Sequence, residues 1–248
     1  MASAATTPIQ TPPTWDRSRV APVWHTIVFI VATLGLTFLQ AEQTPKMATM
    51  HVRTRLPLYA VMVLFELILL GYVWLLGLRP AGKSLRDIIG GKWIDWGDFW
   101  LDVGIAGLFW MAVAGMLFAM QVALGRNEAA VKALQLLAPR TYAEMIFWVI
   151  LSVTAGFVEE LIFRGYLQRQ FFAWTGRIGL AVVLQAAVFG AAHLYQGWKG
   201  AATITVYGAL FGILAAWRKS LRPGIMQHAA QDTVAGLVGS FALRHHYF

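Results

Sequence analysis

From Val103 to Gly125 the chain contains no Asp, Glu, Lys, Arg or His. A run of that length is what a hydrocarbon layer about 30 Å thick demands of a helix that crosses it, about 20 residues at 1.5 Å each. Similar stretches occupy Val20–Ala41, Leu56–Leu78 (interrupted only by Glu66) and Tyr142–Val158. Shorter or more polar ones follow at Ile178–Ala192, Ala201–Trp217 and Ile225–Leu243. Inside lipid every backbone N–H and C=O must be paired within the protein. The runs lack the two-residue alternation of a membrane barrel. The expectation is therefore an all-α, polytopic transmembrane helix bundle of about seven spans, within a range of six to eight.

Composition agrees and removes the alternatives. Hydrophobic residues are 58% of the chain and charged residues 13%, against roughly 45–50% and about 25% in ordinary globular domains. That leaves too few charges to cover a soluble surface and too many aromatics for a disordered chain. With no cysteine, disulfide frameworks, Cys-ligated zinc, iron–sulfur clusters and thiol nucleophiles are excluded. The net charge of +8 reads as Lys and Arg flanking the spans; no basic block interleaved with aromatics argues for a nucleic-acid partner. Residues 1–19 are expected to form a disordered tail without the layout of a cleavable signal, and 20–248 a single transmembrane domain. Alternating the loops puts the larger share of Lys and Arg on the amino-terminal side, so the amino terminus is expected in the cytoplasm of a cell-membrane protein. Between the second and third spans, Lys83–Trp100 mixes charges with Gly90-Gly91, Trp93, Trp96 and Trp100, and is expected to be interfacial or re-entrant.

Ionisable residues at membrane depth are costly and mark function by default. They gather in the carboxy-terminal half: Glu159, Glu160, Arg164, His193, His228 and Asp232. On a helix Glu160 and Arg164 share a face and can pair, leaving Glu159, about 100° around, as a separately tunable base. His228 and Asp232 also stack at four-residue spacing, after a Pro223-Gly224 break that would start their helix. Each pair alone is what a helix end offers for stability; the full set on three helices suits hydrolysis. In one scheme Glu159 is a general base activating water, with the histidines stabilising the oxyanion. In the other His193, His228, Glu159 and Asp232 hold a metal such as zinc, although no His-Glu-x-x-His run is present. Glu66 and Gln185 either line the same cavity or pair with neighbouring helices. Simple alternation carries Ile178–His193 away from the side where the Glu pair ends a span, so convergence requires a cavity reaching mid-bilayer or an interrupted helix.

Glu159-Glu160-x-x-x-Arg164, Phe189-x-x-x-His193 and His228-x-x-x-Asp232, in that order, resemble the three motifs of the CPBP family of intramembrane proteases. That family contains the Ras-converting CAAX prenyl endopeptidase and the bacterial Abi and bacteriocin-immunity proteins. The resemblance covers roughly Phe147 to Gly239 and implies that 142–243 is the catalytic core. It further implies a glutamate-type endopeptidase without a cofactor, cutting near the carboxy terminus of a membrane-associated or lipidated substrate. Glu159 would be the base, Glu160 and Arg164 its support, and His193, His228 and Asp232 the groups that stabilise the oxyanion or orient the others. The family's last position is usually Asn. Asp232 departs from it, because an ionised carboxylate accepts hydrogen bonds and cannot donate one. A function of another class is a non-catalytic membrane protein, such as an immunity factor, a transporter partner or a lipid-binding subunit.

Overall fold

The computed structural model describes residues 17–47 and 53–245. The expected tail at 1–19 therefore lies almost wholly outside the described residues. Ten α-helices account for most of the described chain, and no strand occurs among the described residues. They are α1 (Val23–Met47), α2 (Leu56–Tyr72), α3 (Leu85–Ile89), α4 (Trp96–Leu124), α5 (Glu128–Leu137), α6 (Tyr142–Glu159), α7 (Gln168–Thr175), α8 (Ile178–Ala191), α9 (Gly197–Arg218) and α10 (Arg222–Arg244).

Each of the seven expected spans coincides with a helix. Five helical stretches are long and apolar enough to cross a bilayer: Val23–Gln40, Leu56–Leu78, Trp96–Leu124, Tyr142–Thr175 and Leu194–Arg218. Helix α8, with 14 residues, is shorter. Helix α10 is long enough at 23 residues, but its polar residues keep it inside the bundle. Helices α2 and α4 lie at the periphery, where Leu64, Ile68, Leu108, Met111 and Phe118 are exposed, a surface suited to lipid and not to water.

Two boundaries differ from expectation. The third span begins at Trp96, where the Asp95 side chain accepts from the Asp98 amide. Trp96 and Trp100 therefore belong to the helix, not to the preceding loop. The loop itself holds the short helix α3, started by a Ser84–Asp87 capping box. Arg169 of α7 donates to the Ile88 carbonyl at 2.9 Å, and the Leu221 amide at the head of α10 donates to the Ile89 carbonyl at 2.8 Å.

More consequential is the fourth span. The Glu pair does not end it: α6 runs through a π-helical stretch, Glu160–Leu167, straight into α7, giving one rod of 34 residues, Tyr142–Thr175. Within the π stretch the Gln168 amide bonds to the Phe163 carbonyl, five residues back, a wide turn common at functional sites. Gly176 (φ +66°) reverses the chain, and α8 returns antiparallel against α7 and then α9. Sixteen residues lie between Glu159 and Gly176, and sixteen between Gly176 and His193. The histidine therefore returns to the depth of the glutamate, which removes the conflict that simple alternation created.

Glycine lets these helices close up. A Cβ on Gly156 would lie 2.7 Å from the Ala229 amide nitrogen where α6 meets α10, and one on Gly190 would lie 2.6 Å from the Ala201 carbonyl where α8 meets α9. Small residues at interfaces are how membrane helices gain contact when lipid competes for apolar surface.

Candidate functional site

Glu160 is the centre of a buried ion cluster. Its Oε1 is ion-paired with Arg164 Nη1 at 2.9 Å and accepts from His228 Nδ1–H at 2.9 Å. Arg164 is wholly buried, with its guanidinium 4.3 Å from the Phe189 ring centroid and 5.1 Å from that of Phe211. A buried cation needs such company: one carboxylate for charge and two ring faces for its planar surfaces. Gly224 leaves the room, since a Cβ there would be 3.2 Å from Glu160 Oε2.

His228, committed to Glu160 through Nδ1, turns Nε2 toward two more carboxylates, Glu159 Oε2 at 3.6 Å and Asp232 Oδ2 at 3.7 Å. Glu159 has no hydrogen-bond donor within 3.5 Å among the described residues. Its side chain is partly open, as is that of Asp232 (17% and 37%), whereas that of Glu160 is shut in at 1%. The two adjacent glutamates thus divide: one is spent on structure, the other faces space.

That space is a cavity of about 320 Å³ bordered by Glu159, His193, His228 and Asp232. His193 follows α8 directly. Its Nδ1 lies 2.8 Å from the Phe189 carbonyl, an acceptor, so Nδ1 carries the proton and the neutral ring leaves Nε2 bare. The Phe-x-x-x-His spacing therefore has a double reason: the Phe189 ring covers Arg164 while its carbonyl holds His193. All six residues read from the sequence meet at this place, five in one chain of contacts and His193 across the cavity. No three His, Cys, Asp or Glu side chains stand at metal-ligand spacing among the described residues.

Other expectations divide. Glu66 of α2 does border the cavity. Gln185 does not; it donates to the Gly208 carbonyl at 2.8 Å and ties α8 to α9. Sequence reasoning missed Trp148, whose indole N–H donates to the Asp232 carbonyl at 2.9 Å, and Tyr195 and Tyr207, which also border the cavity. Nothing sets these aromatics apart from the chain's many others. It also missed Asp102, wholly buried and gripped by Arg218 Nε (2.9 Å), Arg222 Nε (3.0 Å) and Trp93 Nε1 (2.8 Å). A carboxylate at the edge of an apolar run was the available signal. The buried His25 of α1 is structural, held by Tyr166 Oη at 2.8 Å.

Fold and site together define a multi-pass helical membrane protein with a carboxylate–histidine cavity enclosed by its carboxy-terminal helices. Residues 141–234 match a family model described as Type II CAAX prenyl endopeptidase Rce1-like, and all six site residues lie within the match. Over this stretch the chain is similar to the Rce1-like CAAX prenyl endopeptidases. No curated protein and no solved structure matches the chain.

Proposed function

We propose that the protein is a glutamate-type intramembrane endopeptidase with 142–243 as its catalytic core, cutting a peptide bond near the carboxy terminus of a membrane-associated or lipidated substrate. The observation that carries this reading is the unequal commitment of the two glutamates: Glu160 is buried and paired with Arg164 and His228, while Glu159 faces the cavity without a donor. A general base must reach a water and keep a lone pair for its proton. Glu159 takes that proton as the water oxygen bonds to the scissile carbonyl carbon and the C=O π pair moves onto oxygen. The C–N bond then breaks, and the same proton passes to the leaving nitrogen. His193 presents bare Nε2 as an acceptor that orients the water. His228, turned by Glu160, sets the positions of Glu159 and Asp232. No cofactor and no nucleic acid enters the scheme; the partners are the bilayer and the peptide. The protein sits in the cell membrane with its amino terminus in the cytoplasm.

The test compares the purified protein with Glu159→Gln on a panel of quenched-fluorescence peptides, free and prenylated, in proteoliposomes. Cleavage by the parent and a loss of about 10³-fold or more in the variant is expected, the upper end of general-base effects joined to loss of charge. Equal rates would remove Glu159 as the base, and a parent inert toward every peptide would favour a non-catalytic binding role. One stoichiometric metal whose chelation abolishes cleavage would replace the base scheme with the metal scheme.

A further inference from the structure

The scheme above, on which this inference rests, gives negative charge to the carbonyl oxygen but supplies no donor to receive it. Asp232 stands where an asparagine amide would donate, and as a carboxylate it only accepts. Most of the other donors bordering the cavity are already engaged. The Trp148 indole N–H goes to the Asp232 carbonyl (2.9 Å), and the Ser152 hydroxyl to the Trp148 carbonyl (2.9 Å). His193 gives its Nδ1 proton to Phe189, and Tyr207 Oη faces Gln227 Oε1 at 3.5 Å. His228 gives Nδ1–H to Glu160 and faces two carboxylates with Nε2.

Tyr195 is different. It follows His193 by two residues in the short 3-10 turn Leu194–Gln196, and its ring lies 5.8 Å from that of His193. Its Oη accepts from Gln196 Nε2 at 3.0 Å. That bond uses a lone pair and leaves the phenolic proton without an acceptor among the described residues. Tyr195 borders the cavity together with Glu159 and Asp232. The amide that occupies its lone pair also aims its O–H, the way a preorganised oxyanion donor is held.

We propose that Tyr195 is a catalytic residue whose hydroxyl donates a hydrogen bond to the carbonyl oxygen as it becomes an oxyanion, supplying the donor that Asp232 does not. The proton stays on the phenol throughout; only the hydrogen bond strengthens as charge builds. Gln196 and Gln231 also bring amide protons to the cavity, and Gln231, which is not bonded to Tyr195, serves as the comparison.

Tyr195→Phe deletes only the hydroxyl. On a peptide the parent cleaves, kcat should fall about 100-fold, the loss seen when one oxyanion donor is removed, with KM within about twofold. Affinity for a phosphinic peptide, a tetrahedral mimic, should fall by the same factor as kcat/KM, while the melting temperature is unchanged. A packing role would leave that parallel unmoved. In an Asp232→Asn background, where an amide donor has been restored, Tyr195→Phe should cost less than about tenfold. The inference is overturned if Tyr195→Phe retains the parent kcat, or if Gln231→Ala loses the rate and Tyr195→Phe does not. Should the parent cleave while Glu159→Gln is dead and Tyr195→Phe intact, only the role of Tyr195 falls. If the parent cleaves nothing, the proposed function and this inference fall together.

Discussion

Asp102 offers the sharpest test of how the bundle is held. Its carboxylate is wholly buried, accepts hydrogen bonds from Arg218 Nε of α9 and the Trp93 indole, and is ion-paired with Arg222 of α10 at 3.0 Å. Asp102→Asn preserves shape but removes the charge and turns one oxygen into a donor. The best amide orientation keeps its oxygen toward Arg222 and Trp93 and points NH2 at Arg218. One charge-assisted bond, about 1.5–3 kcal/mol, is then lost, the remaining bonds weaken, and two guanidiniums converge without a counter-charge. Breaking a buried ion pair costs about 3–5 kcal/mol. The arginine side chains keep 23% and 12% exposure, so water relieves part of this, and about 3 kcal/mol is expected. That corresponds to an unfolding constant shifted on the order of 100-fold, measurable by SDS titration in mixed micelles. The clamp also fixes the start of α10, six residues before His228, so the cleavage rate should fall as well. Arg218→Gln should destabilise less, and the double variant should lose at least about 1 kcal/mol less than the two singles together. Stability of Asp102→Asn within about 0.5 kcal/mol of the parent, smaller than ordinary buried-polar losses, would refute the clamp.

Two further outcomes are expected. Glu160→Gln should abolish cleavage and lower the melting temperature by leaving the wholly buried Arg164 uncompensated; adding Arg164→Met should recover stability but not activity. Outside the spans, the two Ser84 hydrogen bonds, side-chain first and backbone second, hold the Asp87 carboxyl below its ordinary value. A depressed folded value means stability present above the unfolded carboxylate pKa, about 3.9, and lost as pH falls through the folded one. Asp87→Asn should therefore melt slightly earlier than the parent at neutral pH, with the gap narrowing as pH falls below about 3.9. A difference that grows on acidification would reverse the assigned sign.

Much of the molecule can be read from local pattern alone. Apolar runs as long as Leu56–Leu78 leave a chain in lipid no choice but helix, because the backbone has no other partner there. Charge placed against that background is equally legible: Glu159, His193, His228 and Asp232 border one cavity and Glu160 and Arg164 pack beside them, since the cost of burying charge restricts where it is tolerated. Pro223-Gly224 likewise marks the start of α10, where proline sits in the first turn.

What pattern does not carry is depth and commitment. The sequence determined that two adjacent glutamates and two histidines would lie near membrane helices, and that most of the chain would be helical. Only the tertiary structure decided that the Glu pair sits within a continuous rod and not at its end. The reason is that the polar segment Gln168–Thr175 is sheltered by contacts from distant parts of the chain, with Gln170 bonded to Ala21 and Gln168 to Gly212. It likewise decided that Glu160 is consumed by Arg164 and His228 while Glu159 stays open. Neighbours in sequence have nearly the same local pattern, and which one is used depends on what three other helices bring to it.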